Sequence, residues 1–160
     1  MYPKINKKIE KRREELGLSE VYIHSKTGIT DDEYWDIRGC PNEIFTVTPL
    51  YDVKALMQVL SWDFFDLFEI QCAFCKERKP FLEEYLLPRN ELIEKRRTAK
   101  GMSKEELGDR VGFYKIAISN MEKDKNYLEE WCLENISNLA HELDIPLQIL
   151  LGLKCSECLR

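Results

Sequence analysis

A chain of 160 residues with a formal net charge of −5, 44% hydrophobic and 33% charged residues is sized for one ordinary domain or two small ones. That balance argues against a disordered or fibrous chain, and the longest near-apolar run, Ile145–Leu153, is far too short to span a bilayer. No signal-peptide pattern precedes the first charged stretch, so the expected compartment is the cytoplasm, where cysteines are metal ligands or core residues more often than disulfides.

In chain order, the first predicted helix carries IEKRREELGLS, Ile9–Ser19. The stretch SEVYIHSKTGITDDEYWDIRG then reads as a helix from Ser19, a break at Gly28 and a third helix opened by Thr30 and Glu33. Those two residues make a capping box, in which the hydroxyl accepts an orphan backbone N–H and the carboxylate reaches back to the cap residue. DVKALMQV and LSWDFFDLFEIQC, the latter Leu60–Cys72, supply two closing helices. KERKPFLEEYLLPRN follows, with two prolines but an apolar face of Phe81, Leu82, Tyr85, Leu86 and Leu87. It is expected to be a linker helix packed on a domain.

IEKRRTAKGMS, Ile93–Ser103, then matches Ile9–Ser19 at seven of eleven positions, at an offset of 84. An internal repeat of this length governs the rest of the reading. The second copy continues KEELGDRVGFYKIAISNME, apolar at Leu107, Val111, Phe113, Ile116, Ile118 and Met121. It has its own capping box at Ser103 and Glu106, a break at Gly112 and a helix from about Tyr114. NISNLAHE and LDIPLQILLGLKC, Leu143–Cys155, lie over the closing segments of the first copy at an offset of 83. With almost no alternating β pattern, the expected fold is all-α. Two tandem five-helix domains, 1–75 and 89–160, are joined by a helical linker, 76–88.

The second copy resembles the Cro/C1-type (XRE) helix-turn-helix family. The resemblance rests on Met102–Ser103, Leu107, Gly112, ISNME at Ile118–Glu122 and LAHELDIPLQILLG at Leu139–Gly152, and runs from the copy's first helix to Gly152. The first copy (5–70) is similar in its first helix and its ending but much less in between. The resemblance implies lambda-repressor-like domains in which the second helix of the pair lies in the major groove, its N-terminal residues at base edges. It implies DNA contacts from Lys104, Tyr114, Lys115, Ala117, Asn120 and Lys123, with Lys125 just beyond, and the family often has Gln where Lys104 stands. Lysines suit phosphates, and Asn pairs bidentately with adenine.

Charge is distributed in the same sense. Residues 89–125 hold 10 basic and 7 acidic side chains, against 12 and 16 in 1–87 and 2 and 6 in 126–160, and phosphate neutralisation supplies most non-specific affinity. The expected function is a DNA-binding, transcription-regulator-like protein with the second copy as reader, DNA as partner and a homodimer as the alternative assembly left open.

The first copy reads differently. Glu20 occupies the position of Lys104, and TDDEYWD places Asp31, Asp32, Glu33 and Asp36 where phosphates would approach. Helix capping uses one or two carboxylates, not four. The copy is therefore either a structural partner in a single-chain pseudo-dimer or a protein-binding surface. In the second case Glu20, Asp31, Asp32, Tyr34, Trp35 and Asp36 would take a basic partner, as an antitoxin or immunity protein does with a nuclease toxin. At least one of Tyr34 and Trp35 is expected in the core.

Four of the six cysteines form Cys72-x-x-Cys75 and Cys155-x-x-Cys158, at the same place in each repeat. Together they supply the four thiolates of a closed tetrahedral Zn²⁺ site with Zn–S near ~2.3 Å. The expectation is one structural zinc ion joining the closing helices of the repeats, the alternative being semi-buried thiols that pack as small hydrophobes. Neither pair opens a helix after a strand, which argues against redox chemistry. Cys40 and Cys132 are read as structural. His24 and His141 have no nucleophile motif nearby, and the seven glycines build no phosphate-cradling loop, so no catalysis is expected.

Overall fold

The computed structural model describes residues 4–69 and 71–157. The first half runs α1 (Ile5–Glu15), α2 (Glu20–Thr27), α3 (Asp31–Gly39), α4 (Glu43–Thr46), α5 (Leu50–Val59) and α6 (Phe64–Phe68). The second runs α7 (Arg89–Ala99), α8 (Lys104–Val111), α9 (Lys115–Lys123), α10 (Leu133–Glu142) and α11 (Leu147–Leu151), with 3₁₀ turns at Glu83–Leu86 and Tyr127–Glu130. The protein is all-α: no strand forms among the described residues. No helix among them is long and apolar enough to cross a membrane.

The repeat governs element boundaries as well as residues. Helices α1, α2 and α3 begin and end in register with α7, α8 and α9 at the offset of 84 seen in the sequence, and α5 and α6 with α10 and α11 at the offset of 83. The four-residue α4 is matched, at 84, by the 3₁₀ turn Tyr127–Glu130. Each copy therefore has the five expected helices plus one short turn between its third and fourth.

Local chemistry starts and stops these helices. In both capping boxes the reciprocal bonds form: Thr30 N–H donates to Glu33 at 2.8 Å and Glu33 N–H to Thr30 Oγ1 at 3.3 Å. Ser103 N–H donates to Glu106 at 2.6 Å and Glu106 N–H to Ser103 Oγ at 3.0 Å. α2 and α8 both stop on a glycine in the left-handed region, Gly28 at φ 81° and Gly112 at φ 77°, a conformation that is cheap only without a Cβ.

The chain divides into two compact units, 1–70 and 71–160. The first is built around Ile5, Ile9, Ile23, Ile37, Leu56 and Leu67, the second around Leu92, Ile93, Leu107, Ile118, Ile136 and Leu139, each at most 1% exposed. Each such burial is worth about 1.5–3 kcal/mol before the entropy of ordering the chain. In the second unit Phe113 also meets Trp131 edge-on at 4.3 Å.

The segment between the copies belongs to the second unit, and it is not the expected helix. Its regular structure is the 3₁₀ turn Glu83–Leu86. Pro88 holds Leu87 in the extended region, φ −66° and ψ 151°, so a helix cannot run through this segment into α7. Part of the apolar face is used all the same: Phe81 packs on Phe74 at 5.0 Å and on Tyr85 at 5.8 Å, and Glu84 pairs with Arg96 at 2.5 Å, while Leu82 and Leu86 are exposed.

Candidate functional site

Cys72 and Cys75 sit on a tight turn at the start of the second unit. The N–H groups of Lys76 and Glu77 both donate to the Cys72 carbonyl at 3.1 Å, and Lys79 N–H donates to Ala73 at 2.8 Å. At the far end of the unit α11 stops on Gly152, φ 67°, and the chain reverses to bring Cys155 against this turn. The sulfurs of Cys75 and Cys155 are 3.7 Å apart, and those of Cys72, Cys75 and Cys155 all lie within 4.8 Å of one another. Tetrahedral coordination at ~2.3 Å sets sulfurs about 3.8 Å apart. The three cysteines could therefore hold a metal ion. Cys158 lies outside the described residues.

The surroundings suit thiolates. Burial opposes ionisation of Cys72, but hydrogen bonds from the Cys75 and Phe74 backbone N–H groups, then from the Gln148 and Cys75 side chains, outweigh it and bring the thiol down to about 6. Gln148, 2% exposed on α11, also accepts the Ala73 N–H at 2.9 Å. Sequence reasoning passed over Gln148, because nothing in its neighbourhood of the chain marks it as anything but a helix residue. The three sulfurs lie within one unit. Cys72 and Cys75 stand at the beginning of that unit, directly after α6, and Cys155 near its end, after α11.

The helix expected to read DNA, α9, follows α8 after a short turn at Gly112–Tyr114. Its start is open to solvent: Tyr114 is 85% and Ile116 65% exposed, with Lys115 exposed between them. Ala117 corrects the expectation. It is buried, on one stripe with Ile118 and Met121, whereas Ile116, one of the apolar positions of the sequence, faces out. Asn120 is half-buried, and Lys123 and Lys125 are exposed. α8 packs backbone to backbone on the turn: a Cβ on Gly108 would stand 2.5 Å from the Phe113 carbonyl oxygen.

Lys104 is engaged elsewhere. Its ammonium lies 2.8 Å from Glu122, whose side chain is 2% exposed and also accepts Arg97 Nε at 2.5 Å and Nη2 at 3.2 Å. Arg97 and Lys104 hold the Glu122 carboxyl below the usual range despite its burial.

In the first unit Glu20, Asp31, Asp32 and Asp36 are exposed. Trp35 is 65% exposed, with the Arg38 guanidinium 4.5 Å over its ring. Tyr34 is the buried member of the pair, at 3%, and its hydroxyl donates to Glu10 at 2.7 Å. Glu20 pairs with Arg38, the same two positions as Lys104 and Glu122 with the signs exchanged. A compensating sign change at repeat-equivalent positions was visible in the sequence and would have revealed both pairs. His24 uses its Nδ1 on the Ile29 carbonyl at 2.6 Å, in keeping with a structural role. Cys132 is buried, whereas Cys40 is exposed at the end of α3 and has no core role. Compared with protein-family profiles, with curated proteins and with solved structures, the chain matches none.

Proposed function

We propose that the protein binds DNA through its second unit, as a helix-turn-helix regulator of the Cro/C1 kind in which α8 and α9 form the pair and α9 enters the major groove. The observation that carries this is the first turn of α9. Tyr114 and Ile116 stand in solvent beside Lys115 while Ala117, Ile118 and Met121 of the same helix are buried. Large apolar side chains grouped at an exposed helix start mark a surface that is covered when it works. An aliphatic side chain there suits a thymine methyl group, and Lys115, Lys123 and Lys125 suit phosphates. Lys104 braces Glu122 in this reading and adds little at the DNA. The proposal includes one structural zinc ion at Cys72, Cys75 and Cys155, with Cys158 the fourth donor by its spacing. Four thiolates leave no position for a water, so such an ion has no catalytic part.

A mobility-shift series on genomic fragments at rising salt tests the DNA reading. Binding should weaken steeply with salt, be abolished by Lys115→Glu and be left intact or improved by Asp32→Lys. A Lys115→Glu protein that binds as tightly as the native one at every salt concentration sinks it.

Trp35, exposed among Asp31, Asp32 and Asp36, favours a second reading, in which the first unit docks a basic protein and neutralises it. Asp31→Lys with Asp36→Lys should then weaken capture of that partner.

A further inference from the structure

We propose that Gln148 is the positioning residue of the metal centre, and that the ion it helps to seat fastens residues 71–80 to the end of the second unit. The inference rests on the zinc reading of the thiol cluster and is independent of DNA binding.

Zinc thiolates concentrate negative charge, and N–H donors around the sulfurs offset it and orient them. Cys72 receives such bonds from the backbone of Cys75 and Phe74 and from Gln148. The Gln148 amide is fixed at both ends. Its oxygen accepts Ala73 N–H at 2.9 Å, which turns its NH₂ toward the Cys72 sulfur. One side chain, 2% exposed, thus holds both the backbone of the Cys-x-x-Cys turn and the sulfur that the turn presents. A primary amide taken out of water is tolerable only when both its ends are satisfied.

Packing alone would not call for glutamine. The repeat-equivalent position, at the offset of 83 shared by the closing helices, is Phe65, half-buried in α6. The polar side chain appears on α11, where it accepts the Ala73 N–H of the cysteine turn.

Residues 71–80 need such fastening, since Glu84 and Tyr85 already hold the stretch beyond them to Arg96 of α7. They contain no α-helix, and their buried members are Cys72, Ala73 and Phe74, on the ligand turn itself. Lys76, Glu77, Arg78, Lys79 and Pro80 are all exposed, with Arg78 at φ 55°. The Lys76–Glu157 pair at 2.9 Å ties the same two stretches but is open to solvent, where an ion pair is worth little. A cation shared by Cys72, Cys75 and Cys155 closes a loop that takes in nearly the whole second unit.

Limited trypsin digestion of the full chain, with metal content measured on the same samples, tests this. One zinc per chain is expected. Chelation should speed cleavage after Lys76 and Arg78 roughly tenfold as local opening becomes free, and added zinc should restore protection. Gln148→Leu should keep its zinc at saturation but bind it about tenfold more weakly, with a shifted cobalt–thiolate absorption band after Co²⁺ substitution. Gln148→Glu keeps an acceptor for Ala73 and removes the donor to sulfur, and should show the same weakening. It carries the test should the leucine variant not fold. Metal content near zero overturns the zinc reading itself. Bound zinc with cleavage indifferent to chelation overturns the fastening alone, and native zinc affinity in both Gln148 variants overturns the positioning role.

Discussion

Glu122 shows how much one residue in this chain depends on its partners. Its carboxylate is withdrawn from water and held by Arg97 and Lys104, and removing one member of such a group leaves a buried charge without compensation. Glu122→Ala should cost about 3 kcal/mol in urea unfolding at pH 7. The folded-state pKa of Glu122 lies below the ordinary 4.5. Its contribution is therefore complete above that value and is lost as pH falls through the folded pKa, so the native and variant proteins should converge in acid. The sign-exchanged pair in the first copy, Arg38 with Glu20, has side chains 29% and 45% exposed. Arg38→Ala should cost under about 1 kcal/mol. Gly108→Ala is the steric counterpart: with a backbone oxygen 2.5 Å from the new Cβ, α8 must move off the turn, at about 1–3 kcal/mol by the same measurement. His24 stands at the equivalent place in the first copy and spans the turn by its bond to Ile29 instead.

At the level of elements, the ends of α6 and α11 differ in one informative way. Gly152 ends α11 at φ 67°, whereas Glu69 ends α6 at φ 54°, a conformation in which a Cβ is strained. Glu69→Gly should raise the thermal midpoint, by a gain of up to about 1 kcal/mol. The lost Lys8–Glu69 pair is solvent-exposed and offsets little of it. Helix α9 shows why faces are harder to read than helices. Its existence follows from Gly112 and the apolar spacing, but one residue of uncertainty in where it starts turns every side chain by about 100°. That is the whole difference between Ala117 and Ile116 as the outward residue. The segment between the copies has an apolar face but no helix, because Pro88 fixes Leu87 in an extended conformation ahead of α7.

For the whole molecule, zinc gives the sharpest expectation. Thiolate ligands compete with protons for the metal, so zinc affinity should fall as pH drops, measured by competition with a chromophoric chelator. In hydrogen exchange of the full chain, chelation should raise rates at residues 71–75 and 153–157 and leave the amides of α1–α3 as they were. Protection at 71–75 that is identical with and without metal contradicts this.

The sequence by itself determined what local chemistry controls. The capping boxes at Thr30 and Ser103, the glycine stops at 28 and 112 and the all-α class depend on residues within a few positions of one another, and the repeat is the recurrence of such local stretches at an offset of 84. Only the tertiary structure decided what depends on residues far apart in the chain. It brought Cys155 to the Cys72 turn inside a single unit, set Gln148 against that turn, withdrew Lys104 onto Glu122 and chose the face that α9 shows to solvent. Such partners are selected by packing and by the cost of burying polar groups unpaired, and neither is written at any one place along the chain.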